Sequence, residues 1–245
     1  MLFNEFDSIF HDIFSGRAGT CRDIVRTLVA GPRTVQEVGR ALGIGRGGSL
    51  SAALEDLEGA GFIRKDVSFD PLSGKSRARD IRFRLSDNYL RFYLKYVEPL
   101  REQVKKGLFQ FSPLETLQAW DTIMGLQFEN LVLGSLPAIF ARAGLANVPV
   151  LNAGPYSQNK TRRRQGCQID LLIRTNQSLY VFETKFQKRI PAKVISEMKE
   201  KVRRLHTPRG LSVRAGLIYE GELAPEILRS DYFDLLIPAA DLLKT

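Results

Sequence analysis

The 245-residue sequence has little of what builds disulfides and zinc sites: two cysteines and two histidines. Cys21 and Cys167 are too few for a disulfide framework. Together with His11 and His206 they do not form the ligand set of a structural zinc site. We therefore expect two inert thiols and two histidines that bind no metal.

Long apolar runs are also missing. Apolar runs such as residues 131–133 and 235–237 fall far short of the roughly 20 residues that a membrane-spanning helix needs. The first five residues, MLFNE, lack the basic and then apolar layout of a signal peptide. These absences predict a cytoplasmic protein with no membrane partner. The sequence also lacks GxxxxGK(S/T), so the chain by itself shows no Walker-type ATP site.

Positive charge is abundant and unevenly placed. The chain has 36 Lys and Arg against 27 Asp and Glu, a net charge of +9. Residues 151–214 contain 15 basic and 4 acidic residues, so this segment carries +11 and the remainder −2. Concentrated positive charge most often faces polyanions, because neutralising phosphates releases condensed counterions. A solvated basic face is the alternative.

Three short helices and a basic hairpin are predicted between residues 19 and 85. Apolar spacing indicates helices at 21–30, after Thr34, and at 48–59, and Thr34 with Glu37 forms a capping box. Alternation on both sides of the turn at 70–74 indicates a hairpin. This order looks like a winged helix-turn-helix, whose third helix enters the major groove.

The hairpin is the basic part of this unit, with seven basic and three acidic residues between positions 64 and 84. Such a ribbon suits contact with phosphates. The predicted DNA-binding residues here are Arg46, Ser49, Lys75, Arg77 and Arg79. Winged helices also mediate protein contacts, and that alternative stays open.

A change of pattern divides the chain. A bridging helix capped by Asp87 is predicted to run to about residue 97, and Pro99, Gly107 and Pro113 follow. We predict a winged-helix domain with its bridging helix at 1–99, a linker at 100–114 and a second domain at 115–245. The second domain reads as a helix at 123–143, strands at 148–151, 168–173 and 179–185, a helix at 193–205 and a strand at 215–219.

Three charged residues interrupt these hydrophobic strands. Asp170 lies in one strand, and Glu183 and Lys185, two positions apart, point to the same face of the next. Burying such charges is costly unless they are paired or hold a cation. Two carboxylates on neighbouring strands can bind Mg²⁺ or Mn²⁺ with waters and a phosphate oxygen. The lysine can then orient water and offset charge in the transition state.

The arrangement of Asp170, twelve residues and then Glu183-Thr184-Lys185 resembles the PD-(D/E)XK, or restriction-endonuclease-like, superfamily. The resemblance implies an α/β fold with a mixed central sheet flanked by helices. It implies that Asp170 and Glu183 bind the metal, that Lys185 assists water attack on a phosphodiester, and that Glu129 supports the metal shell from the first core helix. A salt bridge between Glu183 and Lys185 without catalysis is the alternative.

The order of winged helix, helix with Glu129 and nuclease-like strands is similar to the C-terminal half of a family of archaeal and bacterial AAA-type ATPases. Here the ATPase half is missing, and Gln168 stands where many relatives have an acidic residue. The resemblance implies an AAA-type ATPase subunit as a partner. Further DNA contacts are expected from a polar loop before the Asp170 strand, at Lys160, Arg162, Arg163 and Arg164.

The leading hypothesis is a DNA-binding, Mg²⁺-dependent deoxyribonuclease. The first alternative is a non-catalytic DNA-binding or partner-binding module of an ATPase, in which the nuclease-like core is only a scaffold. The second alternative is a transcriptional regulator that works through the winged helix alone.

Overall fold

A computed structural model describes residues 2–45, 47–110, 113–160, 165–205, 207 and 210–244. The chain forms two compact units. The first is Met1–Asp66 with Ile81–Gln127, and the second is Val67–Asp80 with Phe128–Thr245. The turn of the hairpin therefore groups with the second unit and its base with the first. The domain bounds given above, 1–99 and 115–245, stay a prediction.

The first unit begins with four helices, and local sequence explains where they start and stop. They are α1 (Leu2–Phe14), α2 (Ala18–Leu28), α3 (Val35–Leu42) and α4 (Gly48–Gly59). The capping box is confirmed, because Thr34 accepts from the Glu37 N–H while the Glu37 carboxylate accepts from the Thr34 N–H. Gly43 ends α3 in the left-handed region at φ 67°. The helix α1 was not predicted.

A hairpin and a bridging helix complete the first unit. Strands β1 (Ile63–Phe69) and β2 (Ser76–Leu85) flank the predicted turn. Asp87 caps α5 (Asn88–Phe92) as predicted, and the helix continues as a π-helical segment (Tyr93–Val97). The short α6 (Arg101–Lys105) follows. Phe6, Phe10 and Phe14 of α1 pack in one core with the buried faces of α2, α4 and the bridging helix.

The predicted long helix at 123–143 is two helices. They are α7 (Trp120–Gly134) and α8 (Leu136–Arg142), which meet at a 73° bend. Pro137 in the first turn of α8 accounts for the break, since proline is tolerated there but not within a continuous helix. Within the described residues no single helix has the length and apolar character to cross a membrane, although α7 and α8 pass that test as a bent pair.

The second unit is built on a five-stranded sheet with strand order β3-β4-β5-β6-β7. The pairs β3–β4 and β4–β5 are antiparallel, whereas β5–β6 and β6–β7 are parallel. The prediction of an α/β fold with a mixed sheet is thus confirmed. The strands are β3 (Val150–Gln158), β4 (Cys167–Thr175), β5 (Ser178–Ile190), β6 (Ser212–Leu223) and β7 (Leu235–Pro238), and the helices after β5 and β6 are α9 (Lys193–Arg204) and α10 (Pro225–Arg229).

Helices cover both faces of this sheet. On one face, Leu179 and Val181 of β5 pack with Val194 and Met198 of α9. On the other, Phe182 of β5 packs with residues of α7 and α8. Because side chains alternate along a strand, Glu183 and Lys185 share the face of Leu179 and Val181 and so point toward α9. This placement decides which charges they meet.

Candidate active site

The candidate site lies where β4 and β5 stop pairing. Their register runs from Arg174↔Leu179 to Leu171↔Phe182. Asp170 is the residue before Leu171, and Glu183 is the residue after Phe182, so both lie next to the last of these pairs. The two carboxylates therefore lie where the backbone pairing of β4 with β5 ends.

Glu183 is the buried centre of the site, with 4% of its surface exposed. Its Oε1 lies 3.0 Å from the Lys185 Nζ, and its Oε2 accepts a hydrogen bond from the Lys201 Nζ of α9. Each carboxylate oxygen therefore has its own ammonium partner. This pairing offsets the cost of burying the charge.

Asp170 is fixed by Thr184, the residue between Glu183 and Lys185. The Thr184 backbone N–H and hydroxyl both donate to Asp170 Oδ2, at 2.9 and 3.0 Å. Burial and the neighbouring Glu183 carboxylate raise the pKa of Asp170, and these two outweigh the lowering by Lys201 and by the Thr184 hydrogen bonds. The two acids are thus close enough to repel, which is the arrangement that a divalent cation relieves.

Lys185 lies between two acids, since its Nζ is also 3.5 Å from the Glu197 carboxylate of α9. Burial alone would lower the pKa of Lys185, but Glu183 and Glu197 reverse this and raise it. The side chain is therefore a charged ammonium at neutral pH. It can donate hydrogen bonds and offset negative charge, but it cannot take a proton from water.

Sequence reasoning missed the part played by α9. The helix itself was predicted at 193–205, but neither Lys201 nor Glu197 was assigned a role in the site. The spacing held a clue, because Lys201 falls three residues after buried Met198 and four before buried Leu205, on the inward stripe of the helix. Burial lowers the pKa of Lys201, whereas the Asp170 and Glu183 carboxylates raise it. The net effect is a raised pKa.

The donors present fit Mg²⁺ in kind, because this ion takes oxygen ligands and commonly uses one or two carboxylates with waters and phosphate oxygens. Across the residues that the structure describes, no group of three or more His, Cys, Asp or Glu side chains could hold a metal ion. Asp170 and Glu183 thus stand as a pair, without a third such ligand. Glu129 lies half-buried in α7, and its role in the metal shell stays a prediction.

The predicted DNA-binding residues fall into three groups. Ser49, Lys75 and Lys160 are exposed. Arg77 is half-buried and pairs with Asp70 at 2.7 Å. Arg46, Arg162, Arg163 and Arg164 lie outside the described residues, as does the side chain of Arg79, which is part of β2.

The hairpin turn is held by residues of the sheet that sequence reasoning did not single out. Arg174 of β4 donates from Nε to the Pro71 carbonyl at 3.0 Å and from Nη2 to the Leu72 carbonyl at 3.4 Å. Asn152 of β3 donates to the Gly74 carbonyl at 3.0 Å. These bonds explain why the turn groups with the second unit, and they fix the backbone beside Lys75.

Comparisons with known proteins give few parallels. No family model matches the chain. The chain is 24% identical over 156 residues to the uncharacterized protein MJECL04 of Methanocaldococcus jannaschii, a match that covers 62% of this chain and 32% of that protein. The predicted relation to AAA-type ATPases stays a prediction.

Two solved structures have low similarity to this chain. Protein VC1899 from Vibrio cholerae has a TM-score of 0.39 at 14% identity and matches 97% of this chain and 53% of that one. Can2 from Sulfobacillus thermosulfidooxidans, in complex with cyclic tetra-adenylate, has a TM-score of 0.37 at 14% identity and matches 98% of this chain and 55% of that one. The chain thus spans about a third of the length of the curated relative and about half of the length of these structures.

Proposed function

We propose that the protein binds DNA and hydrolyses its phosphodiester bonds with the help of Mg²⁺ or Mn²⁺. One observation carries the proposal: two acids at the end of adjacent strands, Asp170 and Glu183, are held side by side with the Lys185 ammonium 3.0 Å from Glu183. Titratable groups that are brought together in this way, with the pKa of Asp170 raised by burial and by Glu183, are typical of functional sites.

Each residue has a distinct role in this reaction. Asp170 and Glu183 would hold the metal, with Thr184 fixing the Asp170 carboxylate through its Oδ2. What a bound Mg²⁺ supplies in such a site is charge on a phosphate oxygen and a lower pKa of a bound water. The Lys185 ammonium would donate to the attacking oxygen and stabilise the added negative charge of the transition state.

DNA binding would use two regions. In the first, α4 would act as the recognition helix of a winged helix, with Arg46 and Ser49 at its start and Lys75, Arg77 and Arg79 on the hairpin. In the second, Lys160, two residues after the end of β3, and the basic residues at 162–164 would hold the backbone near the metal. An AAA-type ATPase subunit is the partner that the resemblance proposes.

The experiment is a cleavage assay with linear, supercoiled, single-stranded and branched DNA, with Mg²⁺, Mn²⁺ or EDTA. We expect cleavage that needs the metal and falls at least about 100-fold in Asp170→Ala and in Lys185→Ala, the scale seen when one transition-state contact is removed. Lys199→Ala, which removes an exposed lysine from α9, is the matched control. No cleavage of any substrate, or cleavage that survives either site substitution, would sink the enzyme hypothesis.

A non-catalytic accessory module is the second candidate, and one observation favours it. Both oxygens of Glu183 already have ammonium partners, so the charges can balance without a metal. In that case the wild type would bind DNA without cutting it. DNA affinity that falls steeply with salt supports contacts to phosphates, whereas a flat salt response points to a protein partner.

A further inference from the structure

The helix α9 carries a charge arrangement that complements the site. At positions four apart it presents Glu197 to Lys185 and Lys201 to Glu183. An acid of the helix thus meets the base of β5, and a base of the helix meets the acid. Each of these two charges of β5 therefore has an opposite charge of α9 beside it.

The two lysines of the site are not equivalent. Lys185 divides its contacts between Glu183 and Glu197. Lys201 has Glu183 as its ion-pair partner, and the Asp170 carboxylate also acts on it electrostatically. Lys201 therefore pairs with one of the two carboxylates that would bind a divalent cation and interacts electrostatically with the other.

We propose that the Lys201 ammonium is an internal counter-ion that occupies the carboxylate pair in the metal-free protein and is displaced from Glu183 when a divalent cation binds. This inference rests on the metal-dependent function proposed above and adds a regulator of metal affinity to it. Lys201 is a positioning residue, because it acts through Glu183 and contacts no substrate. Metal binding is then a competition between the Lys201 ammonium and the divalent cation for the Glu183 carboxylate.

The first test is titration of the full chain with Mn²⁺ by calorimetry. Lys201→Met should bind Mn²⁺ at least about tenfold more tightly than the wild type, since a competing charge is removed from a partly buried pair. Lys201→Arg keeps the charge and should stay within about threefold of the wild type. Lys199→Met makes the same change of net charge on the exposed side of α9 and should also change little.

Each outcome decides something. Equal Mn²⁺ affinity in wild type and Lys201→Met overturns the competition but leaves the metal-dependent function intact. An equal gain in Lys199→Met would show a general charge effect and overturn the inference as well. If neither protein binds Mn²⁺, both the competition and the metal-dependent function fail.

A second readout needs no variant of Lys201 and so does not depend on its folding. Lysine acylation of the wild type, followed by mass spectrometry, reports how accessible each ammonium is. Saturating Mg²⁺ should raise the labelling rate of Lys201 several-fold and leave Lys199 unchanged. An unchanged rate at Lys201 at a Mg²⁺ concentration shown to saturate binding means that the lysine is not displaced.

Discussion

Buried charges occur on the strands of both units, and they are balanced in different ways. In the first unit, Asp66 of β1 and Arg84 of β2 form one ion pair at 3.0 Å, with their side chains 15% and 13% exposed. In the second, Glu183 of β5 pairs with lysines from β5 and α9, and Asp170 of the adjacent strand interacts electrostatically with Glu183 and Lys201. The second arrangement thus combines two acids on adjacent strands with two lysines.

The difference separates a structural pair from a candidate site. Burial raises the pKa of Asp66, Arg84 lowers it, and the Glu58 carboxylate adds a last and smallest rise. At Asp170, repulsion from Glu183 is the second-largest cause after burial, and both raise its pKa. Repulsion between acids is therefore a main contribution in the second cluster and a minor one in the first, and grouped titratable residues with such pKa values are typical of functional sites. The comparison therefore points to the second cluster as the functional one.

The largest expected effect is on activity. Glu183→Gln should lower Mg²⁺-dependent cleavage at least about 100-fold, because a neutral amide is a poor ligand for Mg²⁺. Asp66→Asn alters the other buried acid and should leave cleavage within about threefold of the wild type. Initial rates on the same DNA, with circular dichroism to confirm folding, would measure both. Similar losses in the two variants would remove the distinction between the clusters.

The next effect is on stability, and here we expect a larger loss from the ion pair of the first unit than from the cluster of the second. Arg84→Met leaves Asp66 without its ion-pair partner and should lower the free energy of unfolding by about 3 kcal/mol. Lys201→Met should cost about 1 kcal/mol in the metal-free protein, because Lys185 still compensates Glu183. Urea denaturation at neutral pH in EDTA measures both. A larger loss for Lys201→Met would mean that the site cluster is the more structural of the two.

The smallest effect concerns the Glu37 side chain in the capping box of α3, whose contribution to stability depends on pH. The hydrogen bond from the Thr34 N–H is the largest effect on the pKa of Glu37 and lowers it from its ordinary 4.5; burial, the second largest, raises it, and the Thr34 side chain and Arg82 add smaller lowering contributions. Glu37 therefore stabilises the fold above about pH 4.5, and this contribution is lost as the pH falls through its lowered value. Glu37→Ala should cost about 0.5–1 kcal/mol at pH 7 and less at pH 3, which is below the ordinary pKa of 4.5. Urea midpoints at the two pH values test this, and an equal cost at both would exclude the charged cap.

Several elements were readable from local sequence. The capping box at Thr34, the stop at Gly43 and the span of α4 agree with the structure, because capping and glycine conformations act within a few residues. The pairing of Glu183 with Lys185 also follows from spacing, since alternate residues of a strand share a face. The mixed sheet came from the resemblance and is confirmed.

Other elements of the fold were not predicted from the sequence. The break between α7 and α8, the strand β7 and the helix α1 were not predicted, and β3 extends beyond the predicted residues 148–151. The sequence has a short apolar run at β7 and four phenylalanines in α1, but neither shows what they would pack against. Packing decides such short or marginal elements more than propensity does.

By itself, the sequence determined the start and end of α3, the span of α4, the alternation of the strands and the spacing that puts Glu183 beside Lys185. The tertiary structure alone decided that Lys201 and Glu197 of α9 would complete the site, and that Arg174 would hold the hairpin turn. These contacts join residues 18, 12 and 103 positions apart. Local rules do not reach so far, because such pairs form only once a helix or a turn has packed against the sheet, and that packing is set by the whole core.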